Sequence, residues 1–194
     1  MNPRPHLAFV GIAGVGKSTI AAAVAKAAGR ELVDLDKLIV ANEASAIRRE
    51  REGEVGGVTR LSSVSAIFAR HGEEGFRDRE AGALLDVTER ERPTVIATGG
   101  GIVERASNRD LLARRCVVVW LSAPEEVVVD RLGRSRTRRP LLRGDAASKL
   151  HELIERRESL YREVADVHID LDGAGRQRSV DIVLGELRRR GLLP

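Results

Sequence analysis

Five short runs of mainly apolar residues punctuate the chain: His6–Val10, Glu31–Asp34, Thr94–Ala97, 116–121 and Val167–Asp170. Runs this short, rich in Val, Ile and Leu, predict buried strands. Between them lie longer stretches whose apolar residues recur at helical spacing. They predict helices over Lys17–Ala28, 37–52, 62–70, 73–90, 108–114, 124–132, Ala146–Val164 and 179–190. Gly29 closes the first helix, and Gly72 separates 62–70 from 73–90. Pro124 sits at a helix start, with acids in the turn behind it. Residues 53–59 break any helix, and 133–144 read as a basic loop. Strands alternating with helices predict an α/β fold in three layers: a five-stranded parallel sheet with helices on both faces. The 194 residues suit one domain over 1–194.

Composition adjusts this picture in three places. Hydrophobic residues make up 42% and aromatics only 3%, so the core is expected to consist of Val, Ile, Leu and Ala. The net charge of +4 raises the question of nucleic acid, but the basic residues are interspersed with 29 acids and have almost no aromatic partners for bases. No nucleic-acid partner is expected; the basic residues read as solvated surface and as sites for anionic ligands. The single cysteine, Cys116, opens an apolar run and reads as a small buried hydrophobe in a reducing compartment. With no apolar stretch of spanning length and no leader pattern, the expectation is a cytoplasmic protein without a membrane partner.

The first strand runs into Gly11-Ile12-Ala13-Gly14-Val15-Gly16-Lys17-Ser18, which fits G-x-x-x-x-G-K-[ST] between a strand and a helix, the context this phosphate-binding loop requires. Backbone amides of Gly14 through Thr19 are expected to cradle phosphate oxygens at the helix N-terminus. Lys17 is expected at the β- and γ-phosphates, and the Ser18 hydroxyl on Mg²⁺. ATP is the implied phosphate donor.

Asp34 and Asp36 stand one residue apart where the second strand ends. Strand alternation would put both on one side, at the sheet end that faces a ligand crevice. Asp34 is then a candidate for holding the metal through water, and Asp36 for orienting or deprotonating an acceptor hydroxyl. A plain helix cap at Asp36 is the commoner role for such a residue. Gly99-Gly100-Gly101 follows the third strand and implies close approach to the backbone, an ordinary flexible turn being the alternative. Arg139 lies in the basic loop among Arg134, Arg136, Arg138 and Arg143. That loop reads as a mobile lid offering guanidinium to a phosphoryl group, or as a solvated basic surface.

Taken together, the motifs resemble the shikimate kinases, a branch of the nucleoside-monophosphate-kinase-like fold. The matches run in order over most of the chain: the phosphate loop, Asp34-x-Asp36, Ile67-Phe68, Gly72-Glu73, Phe76-Arg77-x-x-Glu80, Ala97-Thr98-Gly99-Gly100-Gly101, Val118-Val119-Trp120-Leu121, Arg139-Pro140-Leu141-Leu142 and Arg157-x-x-x-Tyr161. The resemblance implies that Asp36, Arg77, Gly99, Gly100, Gly101 and Arg157 bind shikimate, with Arg77 and Arg157 on its carboxylate and Asp36 on its ring hydroxyls. It makes Glu80 the residue that orients Arg77, Arg139 the lid arginine, Arg131 a candidate for stacking on adenine and Arg176 a looser nucleotide contact. Phe68 and Phe76 flank this site and read equally well as a wall for a ring and as core packing. Arg77 as a surface charge, and Arg157 paired with Glu155 or Glu163, are the plainer readings.

The chain departs from the family after Asp36. Ile39 is followed by Val40 where the family has an acid, and residues 42–63 read as an insertion in the substrate-binding segment. The expected activity is transfer of the ATP γ-phosphate to the 3-hydroxyl of shikimate, by a monomer or by a dimer formed through the insertion. A kinase for another carboxylated polyol such as gluconate, and a ligand-sensing domain without turnover, are the alternatives. Lys17, Asp36 and Arg139 are all present, which argues against the second.

Overall fold

The architecture is that of a computed structural model, which describes residues 5–50, 63–134 and 146–194. Its strands are β1 (His6–Val10), β2 (Glu31–Asp34), β3 (Thr94–Ala97), β4 (Cys116–Ser122) and β5 (Val167–Asp170). They form one sheet in the order β2-β3-β1-β4-β5, and every neighbouring pair is parallel. Leu7 lies opposite Val95 on one side and Val117 on the other. The five-stranded parallel sheet expected from the apolar runs is therefore present, with β1 at its centre.

Helices follow the strands: α1 (Lys17–Ala28), α2 (Leu35–Glu50), α3 (Val64–Thr88), α4 (Ala106–Arg115), α5 (Glu125–Arg134), α6 (Ala146–Val164) and α7 (Arg176–Arg189). They cover both faces of the sheet, so every residue of β1 is buried. Side chains of successive strand residues go to opposite faces. Ala8, Val10, Ile96, Val118 and Trp120 pack with residues of α2, α3 and α4 in one core. Leu7, Phe9, Val95, Val119 and Leu121 pack with residues of α1 and α7 in the other. Cys116 is fully buried at the start of β4, as a small hydrophobe would be.

The boundaries differ from the sequence expectation in instructive ways. Helix α2 starts directly after β2, because Asp34 Oδ1 accepts from the Lys37 amide at 3.3 Å. Asp34, not Asp36, therefore sits at the helix start, and Asp36 lies inside the first turn. Gly72 breaks α3 as expected, with φ 70° and ψ −175°. Ser63 begins that helix by accepting from the Ala66 amide. Gly133 and Arg134 belong to α5 rather than to the basic loop, and residues 42–50 of the expected insertion continue α2. Residues 51–62 of that insertion, and the lid from 135 onward with Arg136, Arg138, Arg139, Arg143 and Gly144, lie outside the described residues. Helix α7 begins at Arg176, and Ile102–Glu104 form a 3-10 turn that the hydrophobic pattern does not mark. Among the described residues no helix is long and apolar enough to cross a membrane.

Candidate active site

The glycine loop leaves the C-terminal end of β1 and enters α1 at Lys17. Gly11 has φ 137°, and a Cβ there would run into the carbonyl oxygen of Leu121 on the neighbouring strand. The loop can therefore press onto the sheet only with glycine at this position. Lys17 is buried, and its Nζ donates to the Gly11 carbonyl at 2.7 Å and the Ile12 carbonyl at 2.9 Å. The ammonium thus sits within the curl of the loop. Gly16 makes no side-chain cap, leaving the first-turn amides of α1 suited to an anion. The Val15 side chain is fully buried, so only its backbone can serve a phosphate. Ser18 is exposed and Thr19 half-buried.

Arg131 on α5 donates to the Val15 carbonyl at 3.0 Å and to the Ala174 carbonyl at 2.7 Å. Its guanidinium ties the phosphate loop to the segment that precedes α7. Arg176 is exposed in the first turn of that helix. Against Gly14, the side chains of Leu132 and Val128 close the same edge.

A cavity of about 630 Å³ opens beside the loop. It collects Ser18, Asp34, Asp36, Arg77, Gly99, Gly100, Gly101 and Arg157 on one surface, with Phe68 and Phe76 in its wall. Asp34 and Asp36 share this cavity although the chain between them has already turned helical, so strand alternation is not the reason they face it. The rings of Phe68 and Phe76 stack with centroids 4.5 Å apart, and the Arg77 guanidinium lies 5.7 Å from the Phe76 centroid.

Both arginines are buried and anchored, which excludes the surface-charge reading of Arg77. Arg77 donates through Nη1 to Glu80 Oε2 at 2.7 Å and pairs through Nη2 with Glu104 Oε2 at 3.0 Å. Arg157 donates through Nε to Glu104 Oε1 at 3.0 Å. Neither Glu155 nor Glu163 is its partner; these pair with His151 and Arg109. Tyr161, one turn along α6, donates its hydroxyl to the Gly100 carbonyl. Burial pushes that phenol well above its ordinary range, so it stays a neutral donor.

The carboxylates around the pair differ in environment. Glu80 is fully buried; burial pushes its carboxyl up, against the pull of Arg77, and Asp36 adds to the rise. Its Oε1 has no hydrogen-bond partner among the described residues. Burial alone would also raise Glu104, but Arg157 and Arg77 outweigh it and hold that carboxyl below the usual range. Glu104 belongs to no motif read from the sequence, and no local signal marks it.

The glycine triplet is crowded by these groups. A Cβ on Gly99 would lie 2.6 Å from Glu80 Oε1 and 3.1 Å from Asp36 Oδ1. One on Gly101 would overlap the Arg77 guanidinium. For a metal, no cluster of three or more His, Cys, Asp or Glu exists among the described residues. Ser18 and Asp34 offer one hydroxyl and one carboxylate on the cavity. Such a sparse oxygen set fits Mg²⁺, which keeps waters and takes phosphate oxygens as its remaining ligands.

The chain is similar to known proteins over nearly its whole length. The family model described as shikimate kinase matches residues 13–56 and 57–188. A shikimate kinase of Marinomonas sp. (strain MWYL1) is 37% identical over 191 residues, covering 97% of this chain and 95% of the relative. One from Halorhodospira halophila is 42% identical over 173 residues, covering 89% and 86%. The solved shikimate kinase from Acinetobacter baumannii in complex with shikimate superposes with a TM-score of 0.81 at 32% identity, covering 96% of this chain and 94% of that one.

Proposed function

The chain belongs to the shikimate kinase family, and we propose that it transfers the γ-phosphoryl group of ATP to the 3-hydroxyl of shikimate, giving ADP and shikimate 3-phosphate. The observation that carries the acceptor is the pair of buried arginines, Arg77 and Arg157, on the same cavity as Ser18 of the phosphate loop. Two guanidinium groups at that depth suit a carboxylate, which accepts paired N–H donors in the plane of each fork. A relative with shikimate bound supports the choice of acid. A gluconokinase from Sinorhizobium meliloti, at 24% identity and a TM-score of 0.59, shares the fold alone.

Each residue has a role in this transfer. Asp36, beside Gly99 at the cavity, takes the proton of the 3-hydroxyl as its oxygen attacks phosphorus. Glu80 holds the Arg77 guanidinium at the cavity. Phe68 and Phe76 pack against the ring. Gly14 to Thr19 hold the phosphates, and the Lys17 ammonium moves from the loop carbonyls onto the β- and γ-oxygens. Ser18 and Asp34 would hold Mg²⁺, which would supply positive charge beside the phosphates. Arg131 and Arg176 flank the nucleotide, and Arg139 adds positive charge at the transferred group. Little covalent work falls to the protein; positioning and electrostatics supply the catalysis. Nothing in this reaction requires a nucleic acid, a membrane or a second copy of the chain.

A coupled assay of ADP release with shikimate, gluconate and quinate as acceptors tests the proposal. Turnover is expected with shikimate and at most a trace with the other two. Preference for gluconate or quinate would refute it.

A further inference from the structure

Glu104 lies three residues beyond the glycine triplet's last member, on a turn held from several sides. Its amide donates to the Gly101 carbonyl at 3.0 Å, Asn108 donates to the Ile102 carbonyl at 3.1 Å, and Arg109 donates to the Val103 carbonyl at 2.9 Å. Ile102 and Val103 are fully buried. The Glu104 backbone is therefore fixed before its side chain is considered.

From that fixed point the carboxylate reaches both arginines of the cavity. Oε2 faces Arg77 Nη2 at 3.0 Å, while Oε1 faces Arg157 Nε and Nη2, each at 3.0 Å. Arg156, half out in solvent, adds a contact to Oε1 at 2.6 Å. Arg77 and Arg157 line the cavity, but Glu104 does not. The carboxylate thus grips the two guanidinium groups from the side away from the acceptor. Two buried cations at one site repel each other, and each can swing about several bonds. A single carboxylate bonded to both offsets the repulsion and sets their separation.

We propose that Glu104 is a positioning residue that yokes Arg77 and Arg157 into one clamp of fixed spacing, so that the enzyme selects a carboxylated acceptor. The inference rests on the reading that this arginine pair binds the acceptor's carboxylate. Glu80 holds Arg77; Glu104 bonds to Arg157 as well as to Arg77 and so relates the two. The negative charge of Glu104 opposes an incoming carboxylate, but both guanidinium groups stand between the two anions. Loss of alignment in two charge-assisted contacts therefore outweighs the relief of that repulsion.

The test compares shikimate with its methyl ester in steady-state kinetics on the whole chain. Glu104→Ala is expected to raise KM for shikimate at least about tenfold, the loss equivalent to one charge-assisted hydrogen bond. KM for ATP should stay within about twofold, since the phosphate loop is untouched, and the ester should be affected much less than the acid. Glu104→Gln, which keeps the shape and one acceptor oxygen, should recover part of the loss; should the alanine variant fail to fold, the glutamine variant carries the same comparison. A shikimate KM that is unchanged or lower, or a rise shared equally by acid and ester, overturns the proposal. Arg157→Ala separates the two levels. If it penalises the acid over the ester while Glu104→Ala does not, the yoke alone is wrong. If neither variant discriminates, the clamp reading itself fails.

Discussion

The guanidinium of Arg77 occupies the space that a Cβ on Gly101 would fill. Glu80, Glu73 and Glu104 all hold that guanidinium in place, so it cannot yield cheaply to a larger neighbour. Gly101→Ala should therefore displace Arg77 or distort the turn behind it. The expected cost is about 1–3 kcal/mol of stability, as for other overpacked sites. The acceptor KM should rise together with a lower melting temperature, while KM for ATP changes little. A variant with wild-type melting and wild-type acceptor KM would show that the close approach has no consequence.

Lys17 tests the donor side. Its ammonium is buried and held by two carbonyls of its own loop, poised where phosphate oxygens would replace them. Lys17→Met keeps much of the volume and removes the charge. The drop in kcat should be at least about 10²-fold, the scale seen when a donor to developing charge is deleted. Acceptor KM should move by only a few-fold. Turnover within a few-fold of the unaltered enzyme would mean the loop does not serve the transferred phosphoryl group.

Arg139 and Arg136 make a matched pair in the basic segment. Pro140 follows Arg139 in the sequence, and a proline restricts the backbone of the residue before it, whereas Arg136 has no such neighbour. Arg139→Ala should lower kcat strongly and leave acceptor binding nearly intact. Arg136→Ala should do much less. Equal effects in the two variants would reduce the segment to a general basic surface.

His6 gives a pH-dependent stability. The ring is buried at the start of β1 and accepts from the Thr94 amide through Nδ1, which requires the neutral form. Burial is the largest cause lowering its pKa below 6.5, and Arg115 and Arg30 add to it against a backbone contact at Thr88. The unfolded chain therefore binds a proton that the folded chain resists. Its contribution is fully present above about 6.5 and is lost as pH falls through that value toward the lower folded pKa. The melting temperature of the wild type relative to His6→Gln should fall between about pH 7.5 and 5.5. A constant difference over that range would mean that folding does not shift the titration of the ring.

Much of this molecule is legible along the chain because the signals are local. The inner strands β1, β3 and β4 are mainly apolar runs buried nearly throughout, and the phosphate loop is a set of glycines spaced within a single turn. Gly72 breaks α3 because its own backbone adopts a left-handed φ, a property of one residue. The same locality misled at Asp34 and Asp36. Which of them starts the helix was settled by where β2 ends, and that depends on its pairing with β3. Glu104 shows the limit most clearly. It meets Arg157 across 53 residues, and nothing near either one in sequence prefers that partner to Glu155 or Glu163. Likewise Glu43 on α2 joins Arg79 and His71 on α3 only because those helices pack together. Hydrophobic periodicity and glycine spacing are determined within a few residues, so the sequence alone determined the sheet, its helices and the phosphate loop. Ion pairs form between whichever opposite charges the packing brings within about 4 Å, so only the tertiary structure decided how Arg77 and Arg157 are held.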